Sequence, residues 1–387
     1  MRHGNGPLKL LARSEVESEV MLSRRRFSHL LPAALVATGG LAGCTSSEGD
    51  AAYQSSVQST WRLGPLQSDR GIALGTELVR YATLAPSSHN TQCWKFALEN
   101  DAITILPDLS RRCPAVDPDD HHLYVSLGCA AENLIQAARA HGLHGEAMFD
   151  EARGAIRIAL ANAPAEATEL FKAIPSRQST RAEYDGKPVA SDDLKRLQAA
   201  AFSDRVRLLL LTDRPAIDNV LDFVIQGNTA QMNDKAFVDE LKAWIRFNGA
   251  DAVRLGDGLF SMSSGNPQAP DWLGRLMFGW FFTPKAENEK YARHLRSSAG
   301  VAVFAGAKED AAHWVEVGRC YERFALQATA LGIRTAHVNM PVEVASLRPQ
   351  FAAAIGLGRT RADLVIRFGR GPTLPPSLRR PVQAVLV

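Results

Sequence analysis

The chain has 387 residues, of which 46% are hydrophobic and 22% charged, and its mean hydropathy is −0.12. That length is enough for two domains, and the composition is that of a globular protein with a sizeable core. The net charge of only +3 gives no electrostatic basis for a nucleic-acid partner.

The first predicted element is an export signal over residues 1–44. Arg24, Arg25 and Arg26 precede an apolar run at 30–37 that is too short to span a bilayer. Residues 41–44, Leu-Ala-Gly-Cys, then resemble a lipoprotein cleavage box. This order predicts a twin-arginine signal, lipidation of Cys44, and a protein exported to the periplasmic side and anchored there. The alternative is a basic, apolar N-terminal helix of a cytosolic protein, and Met21 is an alternative start.

Ser- and Gln-rich sequence then predicts a flexible tether over residues 45–74, followed by a first half at 75–175 and a second half at 176–387. The patterns predict a helix ending near Leu84, strands at 94–98 and 103–106, a helix at 192–201 and a strand at 206–211. Two more apolar runs, at 298–305 and 362–368, are typical of buried strands.

An internal repeat connects the two halves. Gly128, Glu132, Ala138, Ala140 and Gly142 recur 190 residues later as Gly318, Glu322, Ala328, Ala330 and Gly332. Both stretches have apolar residues at helical spacing and end at a glycine that favours a helix C-terminus. They predict two central buried helices that meet across a pseudo-two-fold axis.

The second half also carries an insertion, predicted at about 227–292. It is rich in large apolar side chains, namely Trp272, Leu276, Met277, Phe278, Trp280, Phe281 and Phe282. Such a segment predicts a lid or a wall of a substrate pocket. The alternative is a plain pair of packing helices.

Two polar segments stand out as candidate binding motifs. Pro86, Ser87, Ser88 and Asn90 form a proline-started polar loop before a strand, in which Gln92 is expected to brace the backbone. The alternative is a turn with local side-chain caps.

The second motif is Arg177-x-Ser179-x-Arg181, whose guanidinium groups and hydroxyl suit a phosphate. Near the C-terminus, two more arginines, Arg379 and Arg380, follow a proline-stiffened turn. The alternative for the motif is a solvated, charged helix start.

These segments resemble the nitroreductase superfamily, and most closely a tandem subgroup of exported, Acg-like FMN-binding proteins. In ordinary members the two motifs belong to different subunits of a dimer, whereas here each half of one chain carries one. The resemblance implies an α+β fold with two nitroreductase-like halves forming an intramolecular pseudo-dimer. Cys93 departs from the pattern, since the family usually has proline there.

The resemblance also implies an FMN site that draws on both halves. Its cofactor-binding residues would be Pro86, Ser87, Ser88, Asn90, Arg177, Ser179, Arg181, Pro341, Val342, Glu343, Arg379 and Arg380. A main-chain N–H of Glu343 or Val344 would hydrogen-bond the flavin N5, and no side chain is assigned as catalytic. The alternative for residues 339–344 is an ordinary exit from a helix into a loop.

The implied activity is FMN-dependent oxidoreduction in two steps, from an NAD(P)H-like donor to a nitroaromatic or quinone-like acceptor. The alternatives are a non-catalytic protein that binds or sequesters flavin, and an apolar-ligand-binding lipoprotein without flavin. Residues 68–70 and 202–205 do not match the motifs at a second composite site, so one FMN per chain is expected. The partners expected are FMN, a small aromatic substrate and a membrane reached only through the lipid anchor, and the chain is expected to be a monomer.

No metal site is expected. Asp120-His121-His122 lacks further ligands at suitable spacing, and Cys93, Cys113, Cys129 and Cys320 form no zinc pattern.

Overall fold

The computed structural model describes residues 39–66 and 71–387, with side chains from residue 49 onward. The chain divides into two compact units, Met1–Ser47 and Glu48–Val387. The export signal predicted at 1–44, including the Cys44 side chain, lies outside the residues whose side chains are described. In the described ranges, no helix combines the length and apolar character needed to cross a bilayer.

The secondary structure is mixed. The first helices, α1 to α4, span Gly39–Thr60, Ile72–Thr83, His121–Ala140 and Glu169–Ala173. Helices α5 to α10 span Ser191–Ala200, Arg214–Asn233, Lys235–Trp244, Gly249–Leu255, Asp271–Phe281 and Pro284–Arg296. Helices α11 to α13 span Ala311–Ala330, Met340–Glu343 and Arg348–Ala354. Strands β1 to β5 span Trp94–Leu98, Ala102–Pro107, Leu143–Asp150, Ala155–Asn162 and Val206–Leu211. Strands β6 to β10 span Ile245–Arg246, Leu259–Phe260, Gly300–Gly306, Arg334–His337 and Leu364–Gly369.

The strands predicted from apolar patterns are confirmed, with shifts of one or two residues at their ends. They form two four-stranded antiparallel sheets, ordered β1-β2-β4-β3 and β5-β8-β10-β9. When the four strands of each sheet are numbered along the chain, their order across the sheet is first, second, fourth, third in both sheets. In both, one long helix, α3 or α11, lies between the second and third strands. The two halves therefore repeat one folding pattern.

The central helices α3 and α11 pack at a point of very close backbone approach. A Cβ on Gly128 would lie 2.0 Å from the carbonyl oxygen of Val315, and a Cβ on Gly318 would lie 2.0 Å from that of Val125. The Cys129 thiol also donates to the Gly318 carbonyl, at 3.2 Å. The prediction that the repeated stretches are central buried helices is confirmed, and the repeated glycines lie where the helices cross.

The insertion occupies the whole connection between β5 and β8, residues 212–299, and is wider than the predicted 227–292. Its helices α6 and α10, together with α12 and α13, cover the face of the second sheet that the central helices leave open. Strands β8 and β10 are consequently buried along their whole length. Covering on both faces explains why β8 is a continuous apolar run and why β10 is apolar except for Arg367.

The prediction of a flexible tether over residues 45–74 needs correction. Helix α1 continues to Thr60, and Tyr53 is only 3% exposed, with its ring 4.9 Å from that of Phe260. The Tyr53 hydroxyl donates to the Pro376 carbonyl at 2.6 Å. Tyr53, Val57 and Trp61 are spaced i, i+4, i+8, so this Ser- and Gln-rich segment still carries an apolar stripe that fixes it to the body of the protein.

Candidate functional site

The loop between α2 and β1 has an unusual backbone. His89, Asn90 and Gln92 have positive φ angles of 48°, 53° and 54°, a region that non-glycine residues seldom adopt. Side-chain hydrogen bonds to distant segments hold this shape. The Asn90 amide donates to the carbonyls of Gly258 and Leu378, at 2.9 and 3.1 Å.

Gln92 fixes the other end of this loop. Its amide nitrogen donates to the Gly256 carbonyl at 2.8 Å, and its amide oxygen accepts the Arg380 N–H at 2.8 Å. The prediction that Gln92 braces the loop is confirmed. The loop is therefore held in place by the insertion and by the C-terminal segment, both of which belong to the second half.

Two buried arginines of the second half bind the C-terminal end of α2. Arg177 donates to the Leu84 carbonyl at 2.8 Å, while Arg379 donates to those of Thr83, Leu84 and Ala85 at 2.6, 3.1 and 3.1 Å. The last carbonyls of a helix have no partners within it, so these contacts satisfy them. They also bring both predicted motifs to one place.

Behind these arginines lies a buried glutamate of the repeat. Glu322 on α11 is fully buried, with a carboxylate oxygen 3.2 Å from Nε of Arg177. Burial raises the pKa of Glu322 to about 7, against the opposing effect of Arg177. Burial also lowers the pKa of Arg379 to about 9, and the nearby Arg177 charge acts in the same direction.

A cavity of about 190 Å³ opens between the two halves and the insertion. The first half contributes Pro86, Ser87, Ser88, His89, Val116, His122, Val125, Ser126 and Cys129. The second half, apart from the insertion, contributes Arg181, Tyr321, His337, Asn339, Met340, Glu343 and Leu364. The insertion contributes Gln231, Phe237, Leu241, Leu259 and Tyr291.

A smaller cavity of about 50 Å³ adjoins it, and Pro86, Ser87, Arg181 and Leu259 line both. The predicted residues that line the smaller one are Pro86, Ser87, Asn90, Arg177, Ser179, Arg181 and Arg379. The structure thus brings the loop motif and the arginine motif to the walls of the same pair of cavities.

Arg181 is the positive charge at the junction of the two cavities. Among the described residues it has no hydrogen bond or ion pair, and burial lowers its pKa. Burial and the Arg181 charge also lower the pKa of His89 to about 4 and that of His337 to about 3. The imidazoles near Arg181 are therefore neutral at pH 7, and the site favours an anionic or electron-rich ligand.

Glu343 is the carboxyl group that lines the larger cavity. It accepts from the Gln231 amide at 2.6 Å, and its other oxygen is 3.9 Å from Nδ1 of His122. Burial raises the pKa of Glu343, whereas burial and neighbouring His121 lower the pKa of His122. Gln231 belongs to α6 and His122 to α3, so this contact joins the insertion to the first half.

The expected role of the 339–344 segment needs correction. The N–H of Glu343 donates to the Asn339 carbonyl at 2.9 Å, and that of Val344 donates to the Met340 carbonyl at 3.1 Å. Both N–H groups are occupied because this segment forms the short helix α12, so neither is free for a flavin N5. Pro341 and Val342 are buried behind the cavity and do not line it.

Arg380 also differs from its expected role. Its guanidinium group donates to the Ala384 carbonyl at 2.7 Å and lies 3.9 Å from the carboxylate of Asp108. It lines neither cavity. Successive residues of an extended segment point in opposite directions, so only Arg379 of this pair faces the site.

The sequence motifs missed several cavity residues. His122, Gln231, Tyr291 and His337 come from four separate elements, and only the fold brings them together. Gln231 and Tyr291, like Phe237 and Leu241, were covered only by the broad prediction that the insertion forms a pocket wall.

The Asp-His-His segment is mainly structural. Ligand atoms of Asp117, His121 and His122 lie within 4.8 Å of one another. The Asp117 carboxylate, however, accepts the N–H groups of His122 and Leu123 at 3.0 and 2.9 Å, which caps the start of α3. His121 places Nε2 3.1 Å from the Asp363 carboxylate.

A third cavity, of about 290 Å³, also lies between the two halves. Residues 147–149 and Ile156 of the first half line it, together with the 203–205 loop and residues of α11 that are 190 positions after residues lining the larger cavity. Ala312, Val315, Glu316 and Arg319 correspond to His122, Val125, Ser126 and Cys129. Arg319 and Arg323 lie 3.3 and 2.9 Å from the carboxylate of Glu132, the repeat counterpart of Glu322.

No family model matches this chain. A curated protein of Mycobacterium tuberculosis, provisionally named an NAD(P)H nitroreductase, is 25% identical over 317 residues, which are 79% of this chain and 88% of that protein. A second one, also provisionally named an NAD(P)H nitroreductase, with the added name acg, is 23% identical over 320 residues, 79% of this chain and 93% of that protein. These relatives support a place in the nitroreductase superfamily.

Solved structures of nitroreductases also match part of the chain. An FMN-bound nitroreductase from Bacteroides fragilis is 16% identical, covers 53% of this chain and 89% of its own, and has a TM-score of 0.32. An FMN-dependent nitroreductase from Mycobacterium smegmatis in complex with NADPH is 12% identical, covers 52% and 87%, and has a TM-score of 0.34.

Proposed function

We propose that this chain is a nitroreductase-type oxidoreductase that binds one FMN in the paired cavities between its halves. The observation that carries this proposal is the convergence of the Pro86–Ser88 loop from one half and Arg181 from the other on the same cavity walls. The names of the curated relatives agree with this class of activity.

The polar atoms around the cavities fit such a ligand. Arg177 Nη1, Gln178 Oε1 and Ser263 Oγ are buried near the smaller cavity without a hydrogen-bond partner among the described residues. His89 Nδ1 and His122 Nε2, near the larger cavity, are also buried without a hydrogen-bond partner among the described residues. Buried polar groups are nearly always paired, so these atoms fit a ligand that carries both donors and acceptors.

The two cavities suit different parts of FMN. Arg177, Ser179 and Arg379 line the smaller one and would hold the phosphate, because guanidinium groups pair well with its oxygens. Pro86, Ser87 and Ser88 would lie along the ring and ribityl chain in the larger one. Arg181, which lines both, would favour negative charge in the ring region.

Bound FMN would supply the redox chemistry by taking a hydride from a donor and passing it to an acceptor. The chain positions these molecules and limits water. Val116, Phe237 and Leu241 form an apolar wall of the larger cavity, which suits a flat nitroaromatic or quinone-like acceptor. An NAD(P)H-like donor is proposed because the curated relatives carry that name.

In this proposal the two halves take the place of two subunits. The support is the repeated strand order and the crossing of α3 and α11 at a pair of glycines. The insertion acts as a lid, since its helices α6, α7 and α10 supply Gln231, Leu241 and Tyr291 to the cavity wall. One chain would then be a complete FMN-binding unit.

An FMN titration tests the site. We expect Arg181→Ala and Ser88→Ala each to weaken FMN binding, by about 1–3 kcal/mol for the charged contact, or roughly 5- to 150-fold. Arg205→Ala is the matched control, because Arg205 is an exposed arginine at the corresponding third cavity. Wild-type affinity in both site variants would refute the proposal.

A flavin-sequestering protein is the second candidate. Two observations favour it, namely that the N–H groups of Glu343 and Val344 are already occupied, and that residues of the insertion helices line the cavity. Adding NADPH to the FMN-loaded protein without oxygen separates the candidates. Bleaching of the flavin absorbance supports an oxidoreductase, whereas persistent yellow colour with several donors supports sequestration.

A further inference from the structure

Helix α9 of the insertion carries an apolar stripe on its solvent side. Trp272, Leu276 and Trp280 are spaced i, i+4, i+8 and are 69%, 45% and 68% exposed, and neighbouring Phe281 is 66% exposed. Surface helices normally turn such a stripe toward the core. A contiguous exposed group of this kind marks an interaction surface, whereas isolated exposed residues such as Phe202 are ordinary.

The opposite side of α9 attaches it to the protein. Gly274 is buried against Phe247, whose ring would lie 2.4 Å from a Cβ at that position. The Lys242 Nζ of α7 lies 5.9 Å from the centroid of the Phe278 ring, and the Ala269 N–H, just before α9, donates to the Phe247 carbonyl at 3.0 Å. The helix is therefore fixed by one face and leaves its tryptophans free.

The N-terminal part of the body lies beside the start of α9. Asp50 accepts a hydrogen bond from Gln268 at 3.0 Å, and Gln268 is three residues before Asp271 (271 − 268). Gly49 also contacts Ala250. Cys44, the residue for which the sequence predicts lipidation, is five residues before Gly49 (49 − 44), so at most about 18 Å of chain separates them.

We propose that α9 docks on the surface of a phospholipid bilayer, with Trp272, Leu276, Trp280 and Phe281 at its interfacial layer. Tryptophan is enriched at this depth because its ring is largely apolar and its N–H can bond to water or headgroups. A single acyl chain holds a protein only marginally, so stable attachment needs a second contact. The exposed stripe, next to the segment that follows Cys44, fits that second contact.

The test uses the full chain with phosphatidylcholine–phosphatidylglycerol vesicles whose acyl chains are brominated, so that nearby tryptophans lose fluorescence. The apolar run at 30–37 could itself bring the chain to a vesicle, so the position of the tryptophans is read rather than total binding. We expect quenching in the wild type that falls at least about twofold in Trp272→Phe/Trp280→Phe. Fully buried Trp94 serves as an internal reference that stays unquenched.

A second variant measures the contribution of the stripe to affinity. We expect vesicle partitioning to weaken about tenfold or more in the triple variant Trp272→Ser/Leu276→Ser/Trp280→Ser. The control is Phe202→Ser, which changes a similarly exposed residue elsewhere and should leave partitioning unchanged. Equal quenching in the wild type and the double phenylalanine variant overturns the proposal. A second result would also overturn the proposal, namely sedimentation that shows a dimer without vesicles in the wild type and a monomer in the triple serine variant. A second copy of the chain would then cover the stripe.

Discussion

At the scale of single residues, the arginines of the site act as both braces and ligand candidates. Arg379 uses Nε and Nη2 on three consecutive carbonyls at the end of α2, and its guanidinium group lies 4.8 Å from the ring of Trp61. Removing it takes the side-chain donor away from the Thr83 and Ala85 carbonyls in a buried place, while the Leu84 carbonyl keeps Arg177. The stability of the loop that follows α2 therefore depends on a side chain almost 300 residues away in sequence.

We expect Arg379→Ala to lower the free energy of unfolding by about 2–4 kcal/mol, because buried acceptors and an aromatic contact lose their partner. Arg380→Ala is the neighbouring control and should cost less than about 1 kcal/mol, since its charged contact with Asp108 is long. Urea unfolding followed by circular dichroism measures both. Equal losses would show that Arg379 has no special bracing role.

Residue identities in the motifs were predictable from the sequence, but their partners were not. The residue types around Ser88 and Arg181 indicate a polar, phosphate-binding site at the level of local chemistry. His122 and His337 carry no such local signal, because their position in the cavity depends on how α3 and β9 meet in space. The N–H groups of Glu343 and Val344 were assigned wrongly since the pattern did not show that α12 forms there.

At the scale of elements, the sequence predicted strands better than the segment around α1. The run that became β8 is apolar along its length and that of β10 is apolar apart from Arg367, because both strands are buried on both faces. In α1 the stripe of Tyr53, Val57 and Trp61 is diluted by serine and glutamine, so composition suggested a tether. Its partners Phe260 and Pro376 are far along the chain, beyond the reach of local patterns.

The crossing of the central helices gives a sharp prediction. Gly318→Ala should destabilise the protein by more than about 3 kcal/mol, because its Cβ would overlap the Val125 carbonyl and force the helices apart. Gly279→Ala is the matched control within a helix, with nothing within 4 Å of the new Cβ, and should be neutral or stabilising by up to about 1 kcal/mol. Thermal unfolding compares the two variants. A similar change in Tm for both would contradict the close approach of α3 and α11 at Gly318.

Helix α10 supplies a prediction on pH. Burial, reinforced by the nearby charges of Arg367, Lys290 and Arg293, lowers the pKa of His294 from 6.5 to about 3. Below pH 6.5, His294 therefore binds a proton in the unfolded chain but not in the folded protein. The free energy of unfolding consequently falls as the pH drops from 6.5 toward 3. Between pH 7.5 and 5, wild type should lose about 2 kcal/mol more than His294→Asn. Urea unfolding at both pH values measures this, and an equal loss of unfolding free energy in the wild type and in His294→Asn would contradict the prediction.

At the scale of the whole molecule, the two halves share a folding pattern but differ at their cavities. Beside the first cavity, Glu322 pairs with Arg177, which comes from a separate segment. At the third cavity, Glu132 pairs instead with Arg319 and Arg323 of α11, and Arg323 also donates to the carbonyls of Ala200 and Phe202. The guanidinium groups of Arg319 and Arg323 are therefore committed to protein partners.

We therefore expect one FMN per chain at saturation. The measurement is equilibrium dialysis with quantified FMN, supported by Arg319→Ala, which changes a residue that lines the third cavity and neither of the other two, and should leave the stoichiometry unchanged. Two bound FMN per chain would show that the third cavity also accepts the cofactor.

The glycine crossing of α3 and α11 has a consequence for how this protein can change over evolutionary time. In a homodimer every substitution appears twice, so neither copy of a site can be altered while the other is spared. Here each half has its own stretch of coding sequence, so a substitution in one half leaves the other unchanged. The connection between β5 and β8, residues 212–299, has no counterpart between β1 and β2, so an insertion in one half can be present without a copy in the other.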